Sequence, residues 1–129
     1  MVTEKARPAT PETLPILYRD ERLVVVDKPS GLLVHRSPID RHETRFALQI
    51  LRDQLGQRVY TVHRLDKGTS GALAFALDPQ AAREYMAAFA QRAVKQTYLA
   101  LVCGWPSPTG IIERPLSAYH GLSLHDLAL

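Results

Sequence analysis

The sequence predicts an α+β domain built on a mixed, largely antiparallel sheet with helices packed against it. Three observations point that way. Short apolar runs recur between turn-forming residues, as strands do. Two longer segments carry apolar residues at helical spacing. Several of the links between these segments are short.

Taken in order, Leu14–Tyr18 and Arg22–Asp27 are expected as two strands joined by the polar turn Arg19-Asp20-Glu21. Lys28-Pro29-Ser30-Gly31 ends the second strand, since proline cannot donate to a ladder and glycine tolerates the bend. Thr44–Leu55 is expected as a helix, with Ala47, Ile50, Leu51 and Leu55 on one face and Gly56 as its stop. Strands follow at Arg58–Leu65 and Gly71–Leu77. Asp78-Pro79 is a helix start, aspartate as N-cap and proline at the first helical position. Ala82, Tyr85, Met86, Phe89 and Ala93 then recur at helical spacing, and Tyr85, Met86 and Phe89 are expected to fill core rather than stack on bases. Lys95–Cys103 returns as a strand that Gly104-Trp105-Pro106-Ser107-Pro108 ends. The order is β-β-α-β-β-α-β, without internal repeat or low-complexity tract.

At 129 residues the chain is one domain or part of one, and 46% hydrophobic with 22% charged residues is the balance of a soluble globular chain. No apolar run approaches the roughly 20 residues of a membrane span. Residues 1–13 read as a flexible leader and not a signal peptide, because the start carries Pro8 and Pro11 and no apolar stretch. The single cysteine, Cys103, excludes an internal disulfide and fits a reducing cytoplasm, the expected location. As a small apolar side chain inside a strand it is expected to be buried.

The formal charge of +3 is unevenly spread. Acidic and basic residues balance in 1–35 and again in 68–129. The surplus falls wholly in 36–67, where Arg36, Arg41, Arg45, Arg52, Arg58, Arg64 and Lys67 face only Asp40, Glu43, Asp53 and Asp66. His35, His42 and His63 lie there too and add charge below neutral pH. Such a stretch suits a polyanion, whose phosphates dominate affinity; a solvated helix face would give the same composition.

At the end of this stretch, His63-Arg64-Leu65-Asp66-Lys67-Gly68-Thr69-Ser70-Gly71 reads as a turn between two strands, with Gly68 and Gly71 supplying backbone freedom. Asp66 sits between Arg64 and Lys67, and nearby positive charge favours an ionised carboxylate. Such a group can attack an electrophile or hold a proton. A lone Asp beside an Arg reads equally as an ordinary turn residue. Other chemistries lack their patterns: no His, Cys or Asp set has zinc-ligand spacing, no G-x-S-x-G elbow surrounds Ser70, and no glycine-rich phosphate loop occurs.

The whole string decides for Asp66. H-R-L-D-x-x-T-S-G resembles the active-site motif of the RluA family of pseudouridine synthases, and every fixed letter is present. Val26-Asp27-Lys28-Pro29-Ser30-Gly31-Leu32-Leu33-Val34-His35 resembles the family's K-P-x-G-x-x-V-H block, and Lys95-Gln96-Thr97-Tyr98-Leu99-Ala100-Leu101-Val102-Cys103-Gly104 its K-x-Y-x-A-x-V-x-G block. His35–Arg41 with Arg52–Gln57 is closest to the members that modify tRNA.

The resemblance implies the pseudouridine synthase catalytic fold and isomerisation of uridine in RNA, tRNA before ribosomal RNA, without metal or other cofactor. It implies Asp66 as the catalytic carboxylate and Tyr98 against the target base; from the residues alone Tyr98 fits core filling as well as stacking. It implies that Arg64 pushes into the RNA as the uridine flips out, a task suited to a guanidinium that stacks and forks. His63, Lys67, Arg36, Arg41 and Arg45 complete the expected RNA-binding set. Family members are longer and carry a later G-R-x-H-Q-x-R block whose Arg pairs with the catalytic Asp. Residues 14–116 are accordingly expected to be the N-terminal part of the catalytic domain and 117–129 a divergent tail, with catalysis by this chain alone impaired. A non-catalytic RNA-binding homologue is the competing reading.

Overall fold

Val24, Val26 and Lys28 lie two residues apart and are fully buried, whereas Asp27 between them is exposed. That alternation is strand β2, Leu23–Lys28, with one face on the core. The computed structural model describes residues 10–38 and 40–114. These fall into two units, divided between Val94 and Lys95.

In the first unit β1, Ile16–Arg19, pairs antiparallel with β2. Ile16 faces Val26 and Tyr18 faces Val25, so two steps on β1 match one on β2. This is a bulge at Leu17, a device that bends an edge strand. Helix α1 spans Ala47–Leu55, and the short β3, Tyr60–Thr61, follows it. Strand β4, Gly71–Ala76, pairs with the whole of β2, from Leu23 opposite Ala76 to Lys28 opposite Gly71. Helix α2 is Pro79–Ala90. The sheet order is β1-β2-β4-β3 and every pairing is antiparallel. The α+β class holds, and no parallel pair occurs among the described residues.

The period of two on β4 distributes the core. Leu73 and Phe75 join Ile50 and Leu51 of α1 with Val24, Val26, Leu32, Val34 and Leu65. Ala74 and Ala76 point the other way, to Ala81, Ala82, Tyr85 and Phe89 of α2. The two helices therefore cover opposite faces of the sheet. Each fully buried Leu, Ile or Phe contributes about 1.5–3 kcal/mol relative to exposure.

The element ends show what sequence periodicity misses. Helix α1 starts at Ala47 rather than Thr44, because the Leu33 and Val34 carbonyls accept the N–H groups of Ala47 (2.8 Å) and Leu48 (2.9 Å). These bonds satisfy amide donors that every helix start leaves over. The helix stops at Gly56 as expected, in the left-handed region at φ 64°. The Arg58–Leu65 strand shrinks to Tyr60–Thr61. Just past it the Ala74 N–H meets His63 Nε2 at 2.9 Å in place of a carbonyl, so a side chain ends the ladder.

Helix α2 starts as expected, Asp78 Oδ1 accepting from Ala81 N at 2.8 Å. It ends at Ala90, with Arg92 left-handed at φ 56°. Ala93 is therefore outside the helix and exposed, and Met86 is 53% exposed rather than core. Tyr85 and Phe89 pack as expected.

The second unit, described over residues 95–114, contains no regular element. The strand expected at Lys95–Cys103 is not formed. Its residues have strand character, but no described segment pairs with them, and an unpaired strand has no ladder to hold it. Leu99, Leu101 and Trp105 are fully exposed in consequence, and Cys103, expected as core, is exposed as well. The expected tail at 117–129, and residues 1–9 of the expected leader, lie outside the described residues.

Candidate active site

Leu65 is buried in the α1-side core and Asp66 beside it is exposed, so the core anchors the turn and presents the carboxylate. The turn closes with Thr69 N donating to Asp66 O at 3.0 Å. A second turn, Lys28–Leu32, holds it from outside. Gly31 N donates to Lys67 O at 2.7 Å, Ser30 Oγ to Gly68 O at 2.8 Å and Lys28 Nζ to Lys67 O at 3.2 Å. Gly31 sits at φ 93°, a conformation that side chains resist. Gly71 behaves likewise at φ 121°, where the turn re-enters β4; Gly68 keeps an ordinary backbone.

The side chain of Lys28 is wholly buried. Its ammonium also donates to Leu32 O at 2.6 Å and Pro29 O at 3.0 Å, so three carbonyls replace its water. Burial pushes its pKa below the usual lysine range, and the negative charge of Asp66 pulls it back up. The lysine and the aspartate are thus electrically coupled across the two turns.

Beside Asp66 lies an open depression of about 140 Å³. One side is Arg64 to Lys67; the rest is Leu33, Val34, His35 and Ser37, the segment whose carbonyls start α1. Arg64 is exposed on its rim.

The expected RNA-binding residues separate into groups. Lys67 lines the depression, but its ammonium pairs with Glu43 at 3.0 Å and Asp40 at 3.5 Å, and the bond to Glu43 holds its pKa above the usual lysine value. Arg36 lies over the Phe46 ring at 5.7 Å, Arg41 Nε donates to Pro38 O at 3.2 Å, and Arg45 is exposed at the approach to α1. His63 is turned inward. Its ring stacks on Phe89 with centroids 4.3 Å apart and 10° between planes, and burial lowers its pKa. Since Nε2 accepts the Ala74 N–H, the proton of the neutral ring is on Nδ1, which is buried without a hydrogen-bond partner among the described residues. Tyr98 belongs to the second unit, 56% exposed, its hydroxyl donating to Gln96 Oε1 at 3.1 Å. Among the described residues no three His, Cys, Asp or Glu side chains gather as metal ligands, and no helix is long and apolar enough to cross a membrane.

The sequence marks Lys28–Gly31 as the end of a strand and gives no sign that this turn clamps the Asp66 turn. One local signal was available: Lys28 continues the Val24, Val26 alternation and so had to fall on the buried face.

The family model described as RNA pseudouridylate synthase matches residues 22–125. The chain is 52% identical over 103 residues to tRNA pseudouridine synthase C of Vibrio cholerae, covering 80% of this chain and 42% of that protein. It is 52% identical over 104 residues to the protein of the same name from Pasteurella multocida, covering 81% and 43%. Among solved structures it resembles Human RNA Pseudouridylate Synthase Domain Containing 1, with TM-score 0.52 and 31% identity over 67% of this chain and 31% of that one. Human RNA Pseudouridylate Synthase Domain Containing 4 gives TM-score 0.51 and 30% identity over 61% and 30%. The chain spans about two fifths of the length of the curated relatives it matches.

Proposed function

The chain belongs to the RNA pseudouridylate synthase family, and from that premise we propose that it isomerises uridine to pseudouridine in tRNA, with Asp66 as the nucleophile. The tRNA assignment rests on the names of the Vibrio and Pasteurella relatives. One observation carries the rest: Asp66 stands exposed at a depression, on a turn that Lys28, Ser30 and Gly31 pin to the core. A nucleophile gains most from being held in the attacking geometry before the substrate arrives.

The reaction breaks the bond from uracil N1 to the sugar, turns the base and joins C5 to the same sugar carbon. N1 gains a proton, C5 gives one up, and nothing is oxidised or reduced. Asp66 attacks and later leaves unchanged. Arg64 on the rim is placed to enter the space of the departing base. Tyr98 supplies a flat ring for the loosened uracil. Arg36, Arg41 and Arg45 hold phosphates. The work is done where tRNA is found, in the cytoplasm.

Tritium release from RNA labelled at uridine C5 tests the reading, using the chain and a chimera that joins it to the remainder of the Vibrio cholerae relative. Asp66→Asn is expected to abolish release while leaving RNA affinity within a few-fold, because it removes a negative charge that faces a polyanion. Equal turnover for variant and parent would remove Asp66 from the mechanism. Release from ribosomal RNA but not tRNA would reassign the substrate.

A further inference from the structure

We propose that His35 reads the target base, its Nε2 accepting the N3–H of uracil. The inference rests on the enzymatic reading above and deepens it at the same depression.

Size comes first. A dry cavity of about 150 Å³ holds one benzene ring, so a depression of about 140 Å³ suits one six-membered ring. A base taken out of its stack offers its pairing edge to such a pocket. For uracil that edge is a single N–H donor between two carbonyl acceptors; cytosine has an acceptor where uracil has N3–H. A fixed neutral acceptor in the pocket therefore separates the two.

Five polar side chains line the depression, and four are engaged elsewhere or carry no acceptor. Asp66 is the nucleophile. Lys67 is paired with Glu43 and Asp40. Arg64 has donors only. Ser37 is already engaged within the chain. His35 remains, and its tautomer follows from its neighbour. Nδ1 lies 3.1 Å from the Arg36 carbonyl, which can only accept, so Nδ1 carries the hydrogen. Nε2 of the neutral ring is then an acceptor, held in orientation by a bond to the backbone. That backbone is itself fixed, since the Leu33 and Val34 carbonyls just before it take the first amides of α1.

The test is the affinity of the full chain for three single-stranded hexamers of identical charge: oligouridylate, oligo-3-methyluridylate and oligocytidylate. The 3-methyl base keeps the ring and both carbonyls of uracil and stays uncharged, but has no N3–H. The parent is expected to bind oligouridylate roughly ten- to a hundredfold more tightly than either of the others, the penalty for leaving one buried polar group unpaired. His35→Ala should bring oligouridylate down to the level of the other two. His35→Gln, which retains an acceptor oxygen, should recover part of the preference. Equal affinity of the parent for oligouridylate and oligo-3-methyluridylate overturns the proposal without any variant. An unchanged preference in His35→Ala, with its thermal melt intact, overturns it too. Tritium release is scored separately. Its absence from the chain and the chimera alike, beside a clear oligouridylate preference, would sink the enzymatic reading and leave the base-reading role of His35 standing.

Discussion

Replacing Lys28 with Met is the sharpest structural perturbation of the site. The substitution keeps a long side chain in the buried slot and removes its ammonium from Pro29 O, Leu32 O and Lys67 O. Lys67 O retains its bond from Gly31 N at 2.7 Å, so the loss falls on the carbonyls of Pro29 and Leu32. Each buried acceptor left unsatisfied costs about 1–3 kcal/mol, whereas the desolvation that the ammonium itself imposed is relieved. The net expectation is a loss of roughly 2–4 kcal/mol, a large part of the 5–15 kcal/mol that holds a typical domain. Urea denaturation followed by circular dichroism measures it. With a slope of about 1.5 kcal/mol per molar, the midpoint should fall by roughly 1.3–2.7 M at unchanged slope. A shift under about 0.3 M would mean that the three bonds are not what holds the Lys28 turn to the Asp66 turn.

Two further outcomes are expected. Changing Arg41 and Arg45 together to Gln should flatten the dependence of tRNA affinity on salt by about 1.4–1.8 in log–log slope, some 0.7–0.9 for each phosphate contact; an unchanged slope places the phosphates elsewhere. His63 has a folded pKa below its ordinary 6.5 because of burial, so its contribution to stability is complete above that value and is lost as pH falls through it. The melting temperature should drop on acidification below pH 6.5, and His63→Gln should reduce that drop; an identical acid profile in the variant refutes the assignment.

The first unit was legible wherever structure follows from neighbours in sequence. Alternation located β2 and β4, Gly56 the end of α1, and Asp78-Pro79 the start of α2, because caps and periods act within one or two turns of chain. The resemblance of the H-R-L-D string located the exposed carboxylate. What the string could not carry was the company Asp66 keeps. Lys67 meets Glu43 across 24 positions and Lys28 reaches Lys67 O across 39, and no local pattern encodes such pairs.

The same distinction explains the misplaced residues. His63 looked like a basic residue next to a catalytic one, but its ring replaces a carbonyl at the end of a ladder. Lys95–Cys103 has the composition of a strand and forms none. Composition states which residues would suit a ladder, while the ladder itself depends on a second segment whose N–H and C=O groups meet it. Tyr98 is therefore the proposed site residue whose setting depends most on pairing from beyond its own neighbourhood. Asp66 is the one that depends on it least, because the Lys28 turn, the buried Leu65 and the Thr69 amide position it from within residues 10–94.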